Sequence, residues 1–168
     1  MMSWIRFATQ IARAREGNAM LEFALGSGIL VAAFVGTFYF GFSFLQYNTL
    51  ENAVVRGAHY GALINYNSTT DTPDSNFQTA VQNMVVYGSP GTPTAGTSPV
   101  LPGLTTSNVT VTGCGISTVC PGYSSALGIP QEIIVSISGY TINSVFAQIT
   151  LSGKPTVTFA YQGIWEPL

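Results

Sequence analysis

The sequence predicts an α+β fold: a long N-terminal transmembrane stem helix that continues into a small head with a second helix and an antiparallel sheet of about three to four strands. Three patterns predict it. No residue from Phe23 to Leu50 carries a formal charge, apolar residues continue at helical spacing just beyond that run, and β-branched residues alternate with polar ones in the last third of the chain.

The uncharged run, FALGSGILVAAFVGTFYFGFSFLQY, exceeds the roughly 20 residues that a helix needs to cross hydrocarbon. A secretory signal would hold an apolar core of only about 7–15 residues before a small-residue cleavage site, and no A-x-A follows here, so the segment is expected to stay on the protein as its contact with membrane lipid. A buried core helix of this size keeps a polar face, and this one keeps almost none. Arg6, Arg13 and Arg15 precede the run, whereas Glu51 and the single Arg56 follow it. Basic residues are retained on the cytoplasmic side, so the N-terminus is expected there and the head outside. Tyr39 and Tyr47 fall where an outer interfacial belt would lie. Ala24, Gly28, Ala32 and Gly36 recur every four residues, a spacing that stacks them on one face as a candidate helix-packing stripe.

Beyond the span, Tyr47, Leu50, Val54, Ala58 and Ala62 keep the helical period, so the anchor is expected to run on as a stem over 51–64. The polar run INYNSTTDTPD ends it, with Thr72 or Asp71 capping a second helix over 73–87 and Pro73 in its first turn. Phe77, Val81, Met84 and Val85 form its apolar face, and Gly88 closes it. Residues 88–106 are rich in Pro and Gly without periodicity and read as a surface loop, either simply solvated or adhesive. The β region, 107–168, contains NVTVTG near 108–113, EIIVSISGYTI near 132–142 and PTVTFAYQG near 155–163. The connection 143–151 reads equally as a short helix or an irregular loop.

Composition excludes several functions. Charged residues are only 7 % of the chain, and its five basic residues are Arg6, Arg13, Arg15, Arg56 and Lys154, too few on the head to neutralise several phosphates. Nucleic acid is therefore not an expected partner. The sole histidine, His59, has no carboxylate near it in sequence except Glu51, and Asp71, Asp74, Glu132 and Glu166 are dispersed. No nucleophile, base and orienter can be assembled, and the Gly-rich stretch 26–36 lies in the span, so the expectation is a non-enzyme with no cofactor, metal or small-molecule substrate. Cys114 and Cys120 bracket GISTV; a disulfide is favoured over a metal site, because Cys-x5-Cys is not a usual zinc spacing. Closing so small a ring contributes about 2 kcal/mol and fixes a local turn.

One acidic residue, Glu22, stands at the edge of the apolar run in R-A-R-E-G-N-A-M-L-E-F-A-L. An ionised carboxylate at the centre of a membrane helix costs about 2.5–3.5 kcal/mol, less near the interface, so Glu22 calls for a positive partner at similar depth. A basic leader, a Gly, four residues and a Glu before an apolar run resemble the type IV prepilin arrangement. The further spelling Arg15, Gly17, Ala19, Glu22, Phe23, Ala24 resembles the TadE-like family, the minor pilins or pseudopilins of tight-adherence (Tad) pilus systems. That resemblance implies a pilin-like fold in the bacterial inner membrane and cleavage between Gly17 and Asn18 by a prepilin peptidase, which divides the chain into a leader (1–17), a transmembrane helix (18–50) and an extracytoplasmic head (51–168). It also implies assembly with other pilin subunits and the pilus platform, with Glu22 and Phe23 at the pairing surface. The new amino group of Asn18 on an adjacent subunit then supplies the positive partner. Two alternatives stay open: an uncleaved anchor whose head binds another envelope component, and a major rather than minor subunit.

Overall fold

The computed structural model describes residues 3–143 and 148–166, with side chains from Asn18 onward. The leader side chains, Arg6, Arg13 and Arg15 among them, and the middle of the 143–151 connection lie outside the described residues. The chain divides into two units, Met1–Phe42 and Ser43–Leu168.

Helix α1 spans Ser3–Gly61 and supplies the described residues of the first unit. Its stretch from Asn18 to Gly61 is long and apolar enough to cross a membrane, and its most apolar window buries nothing inside the chain. Three hydroxyls on this stretch bond back to their own helix: Ser27 Oγ donates to the Ala24 carbonyl, Thr37 Oγ1 to that of Ala33 and Thr49 Oγ1 to that of Leu45, each at 2.9 Å. Such back-bonding is how a helix carries Ser and Thr where no water is available to pair them.

The second unit holds the end of α1, helix α2 (Ser75–Tyr87) and a three-stranded antiparallel sheet in the order β1 (Val109–Cys114), β2 (Glu132–Asn143), β3 (Gln148–Ala160). Strand β2 is central, and its alternation places Ile133, Val135, Ile137, Tyr140 and Ile142 in the core. They meet Leu50, Ala53, Val54 and Ala58 of α1 and Phe77, Val81, Val85 and Val86 of α2 in one apolar cluster. The two helices touch through glycine: a Cβ at Gly57 would fall far inside contact with Val85 Cγ2, and one at Gly61 would lie 3.0 Å from Val81 Cγ2 and 3.3 Å from Ile133 Cγ2. Close approach of one backbone to another element is what a glycine in a helix permits.

Three local expectations are corrected. Helix α2 begins at Ser75 and its cap is Asp74, whose carboxylate accepts from the Phe77 N–H at 2.8 Å; Asp71 and Thr72 do not cap it. Asp74 directly precedes the helix, whereas Asp71 is drawn away by a distant loop. The α1 helix ends at Gly61 rather than 64, because the Ala62 carbonyl instead accepts the N–H of Gln162 at 2.8 Å. Strand β3 starts at Gln148, seven residues before the first β-branched run that announced it. Its irregularity hid it: pairing with β2 shifts register between Ser136 and Ser138 and again between Ser138 and Thr141, with Gly153 at φ 67°. The expected terminus of α2 is as read, with Gly88 in the left-handed region at φ 72° and its N–H on the Met84 carbonyl.

Candidate processing and assembly segment

The segment that carries the motif is helical throughout: α1 runs through residues 17 and 18 without a break. Glycine lowers helix propensity by about 1 kcal/mol relative to alanine, so Gly17 is the position in this turn where the helix opens most readily. Asn18, Met20, Leu21, Glu22 and Phe23 are all exposed, Phe23 at 77 %. Glu22 has no ion pair among the described residues. Among the described residues, then, nothing compensates for a carboxylate placed beside apolar side chains.

Ala24, Gly28 and Ala32 are exposed and Gly36 partly so; a Cβ at Gly28 or Gly36 would meet nothing within 4 Å. The bulky neighbours Ile29, Phe34, Phe38 and Phe40 are also at least 70 % exposed, so the whole surface of this stretch is available to lipid or to another helix.

Within the second unit the residues singled out by sequence reach different fates. Cys114 and Cys120 are joined in a disulfide, both buried, with Cα atoms 5.2 Å apart. His59 is exposed and its ring meets that of Phe159 edge-on, with centroids 5.6 Å apart. Two features were missed by sequence reasoning. The first is Asp71, whose carboxylate gathers the ring closed by the disulfide: it accepts the N–H groups of Ile116 (3.0 Å), Ser117 (3.2 Å) and Thr118 (2.6 Å), and the hydroxyls of Ser117 (2.7 Å) and Thr118. Burial by itself would raise this carboxyl's pKa, but the side-chain bonds from Thr118 and Ser117 and the backbone bonds from Ile116 and Thr118 outweigh it and hold the group below its usual range. The Asp71 carbonyl also takes the N–H of Gly113 on β1 at 2.7 Å. No local pattern pairs residue 71 with 116–118, so only the fold could show it.

The second is the return of the C-terminal segment over the end of α1. Tyr161 Oη accepts the Tyr66 N–H at 2.9 Å and lies 2.9 Å from the Ile64 carbonyl and 2.6 Å from that of Ile164. The Trp165 indole N–H donates to the Ser68 carbonyl at 3.1 Å, and Tyr66 bridges Trp165 in parallel. Burial raises the pKa of both Tyr66 and Tyr161, keeping these hydroxyls protonated as donors. The aromatic positions Tyr161 and Trp165 were the available signal, because a buried aromatic with a polar tip normally finds a partner.

An α+β unit following one exposed apolar helix, long enough to span a bilayer, defines the class: a protein with a candidate single membrane anchor. Residues 17–59 match the family model for TadE-like protein, so this segment of the chain is similar to that family. The match begins at Gly17 and contains Glu22, Phe23 and the whole small-residue stripe. No curated protein and no solved structure matches the chain.

Proposed function

We propose that this chain is a minor pilin or pseudopilin of a Tad pilus, inserted with its N-terminus in the cytoplasm, cleaved between Gly17 and Asn18, and assembled through its apolar helix. The observation that carries the reading is the TadE-like match over 17–59, with Glu22 as the one acidic residue on the apolar part of that segment. After cleavage the Asn18 amine of a neighbouring subunit becomes the cation that Glu22 lacks among the described residues. In a low-dielectric environment such a pair, once formed, is strongly weakened by loss of one partner. The function is association, and its partners are the peptidase, lipid, other pilin subunits and the assembly platform.

The test is the intact mass of the protein from native membranes with and without the cognate peptidase, alongside a Glu22→Ala variant. The expected mature chain starts at Asn18 only when the peptidase is present, and Glu22→Ala lowers incorporation into the filament while leaving membrane insertion intact. A leader that persists in the presence of active peptidase refutes the processing and the Glu22 pairing together, and leaves an uncleaved anchor.

A further inference from the structure

Helix α2 and the 3-10 turn at Thr106–Asn108 are separated by a loop that packs Leu101 and Leu104 in the core and leaves its first half on the surface. The loop leaves α2 at Gly88 and returns at once, since the Val100 N–H donates to the Val86 carbonyl at 2.8 Å. From Gly91 to Ser98 every residue is exposed. Between residues 89 and 99 there is no charged side chain and none larger than proline or threonine, but there are hydroxyls on Ser89, Thr92, Thr94, Thr97 and Ser98.

These hydroxyls fall into two sets. Thr94 and Thr97 are engaged with each other at 3.2 Å, across a turn in which the Thr97 N–H meets the Thr94 carbonyl at 3.0 Å. Ser89, Thr92 and Ser98 donate to and accept from nothing among the described residues, and each directly precedes a proline: Pro90, Pro93 and Pro99. A following proline disfavours the helical region for the residue before it, so all three positions are biased towards the extended backbone in which an enzyme's cleft reads a peptide. The loop base is fixed by the buried Asn83, whose Nδ2 donates to the Gly91 carbonyl at 3.1 Å.

We infer that Ser89, Thr92 and Ser98 are O-glycosylation acceptors for a sugar carried on a lipid diphosphate at the outer face of the membrane. Exposed Ser/Thr interspersed with Pro is the composition of O-glycosylated segments, and here the structure separates free hydroxyls from engaged ones. The lipid-borne donor follows from the extracytoplasmic head, so the inference rests on that part of the proposed function. In the transfer, the acceptor Oγ attacks the anomeric carbon as the bond from that carbon to the phosphate oxygen breaks. The diphosphate leaves with the bonding electron pair, and the hydroxyl proton passes to the transferase's base; nothing is oxidised or reduced. Attached sugars hydrate a head whose surface has few charges to do so.

The test is the intact mass of the full chain from native membranes, with modified residues located by fragmentation, beside labelling of the exposed Lys154 on spheroplasts by a membrane-impermeant amine reagent. The expected mass exceeds that of the polypeptide by whole sugar units, which vanish in a Ser89→Ala/Thr92→Ala/Ser98→Ala variant and persist in Thr94→Ala/Thr97→Ala. The triple variant removes no contact, so its near-UV circular dichroism should match the parent. If Lys154 is labelled and the loop has only its polypeptide mass, carries phosphate, or keeps its sugar in the triple variant, the inference is overturned and the topology stands. If Lys154 is protected, the extracytoplasmic head and the glycosylation fall together.

Discussion

Replacing Asp71 with alanine removes one carboxylate and leaves the backbone N–H groups of Ile116, Ser117 and Thr118 without their acceptor. A hydrogen bond to a charged group contributes about 1.5–3 kcal/mol, and several added naively would exceed the stability of a small domain. The geometry reduces the sum. Ser117 and Thr118 are exposed, so water replaces their lost bonds, whereas Ile116 is partly buried and its N–H is harder to resatisfy. The expected loss is therefore about 1–3 kcal/mol, or roughly 5–10 °C in Tm for a unit of this size near the middle of that range. Because the folded pKa of Asp71 is depressed, its contribution is fully present above the ordinary carboxylate range and is lost as pH falls through the folded value. The difference between wild type and Asp71→Ala, measured by near-UV circular dichroism melts of the full chain in detergent, should accordingly be large near pH 7 and shrink below about pH 4. A gap of the same size at pH 7 and at pH 3 would show that the carboxylate's charge is not what holds the ring, and no gap at either would remove Asp71 from the account.

Gly57→Ala should lower stability by about 1–3 kcal/mol by overpacking against Val85, whose β-branched side chain has little rotamer freedom in α2; a Gly57→Ala/Val85→Ala double variant that recovers none of the overpacking loss in a double-mutant cycle would argue against the contact. Opening the Cys114–Cys120 ring by Cys114→Ser/Cys120→Ser should lower the urea midpoint by an amount equivalent to about 2 kcal/mol, with reductant then having no further effect. Tyr161→Phe removes the hydroxyl that ties Tyr66 to the C-terminal return and should cost about 1 kcal/mol, read as faster amide exchange at Tyr66. Gly28→Ile and Gly36→Ile together fill the open stripe without touching the chain's own packing, so membrane insertion should be unchanged while crosslinking between copies falls.

The order of elements was legible because each rests on a local pattern. Twenty-odd apolar residues make a membrane-length helix whatever follows them, the 3.6 period of Leu50, Val54 and Ala58 carried it into the head, and Gly88 ended α2 as only a residue tolerant of positive φ does readily. The likeness of the segment around Gly17 and Glu22 to the TadE-like family was legible for the same reason, since it rests on residues close together in the chain. What sequence misplaced was decided between distant residues. Asp71 resembled a helix cap within its own neighbourhood, yet its partners at 116–118 lie more than forty positions away, and the cap went to Asp74. Gly57 and Gly61 carry no local sign that α2 lies against them. The early start of β3 depended on two register shifts against β2, which no alternation of polar and apolar residues can announce. By itself, then, the sequence determined an apolar helix of membrane-spanning length and an α+β order, because these follow from periodicity and from groups adjacent in the chain. The tertiary structure alone decided where glycine lets two helices touch, which carboxylate closes the disulfide ring and how the C-terminal segment returns to α1, because each is a contact between residues far apart in the chain.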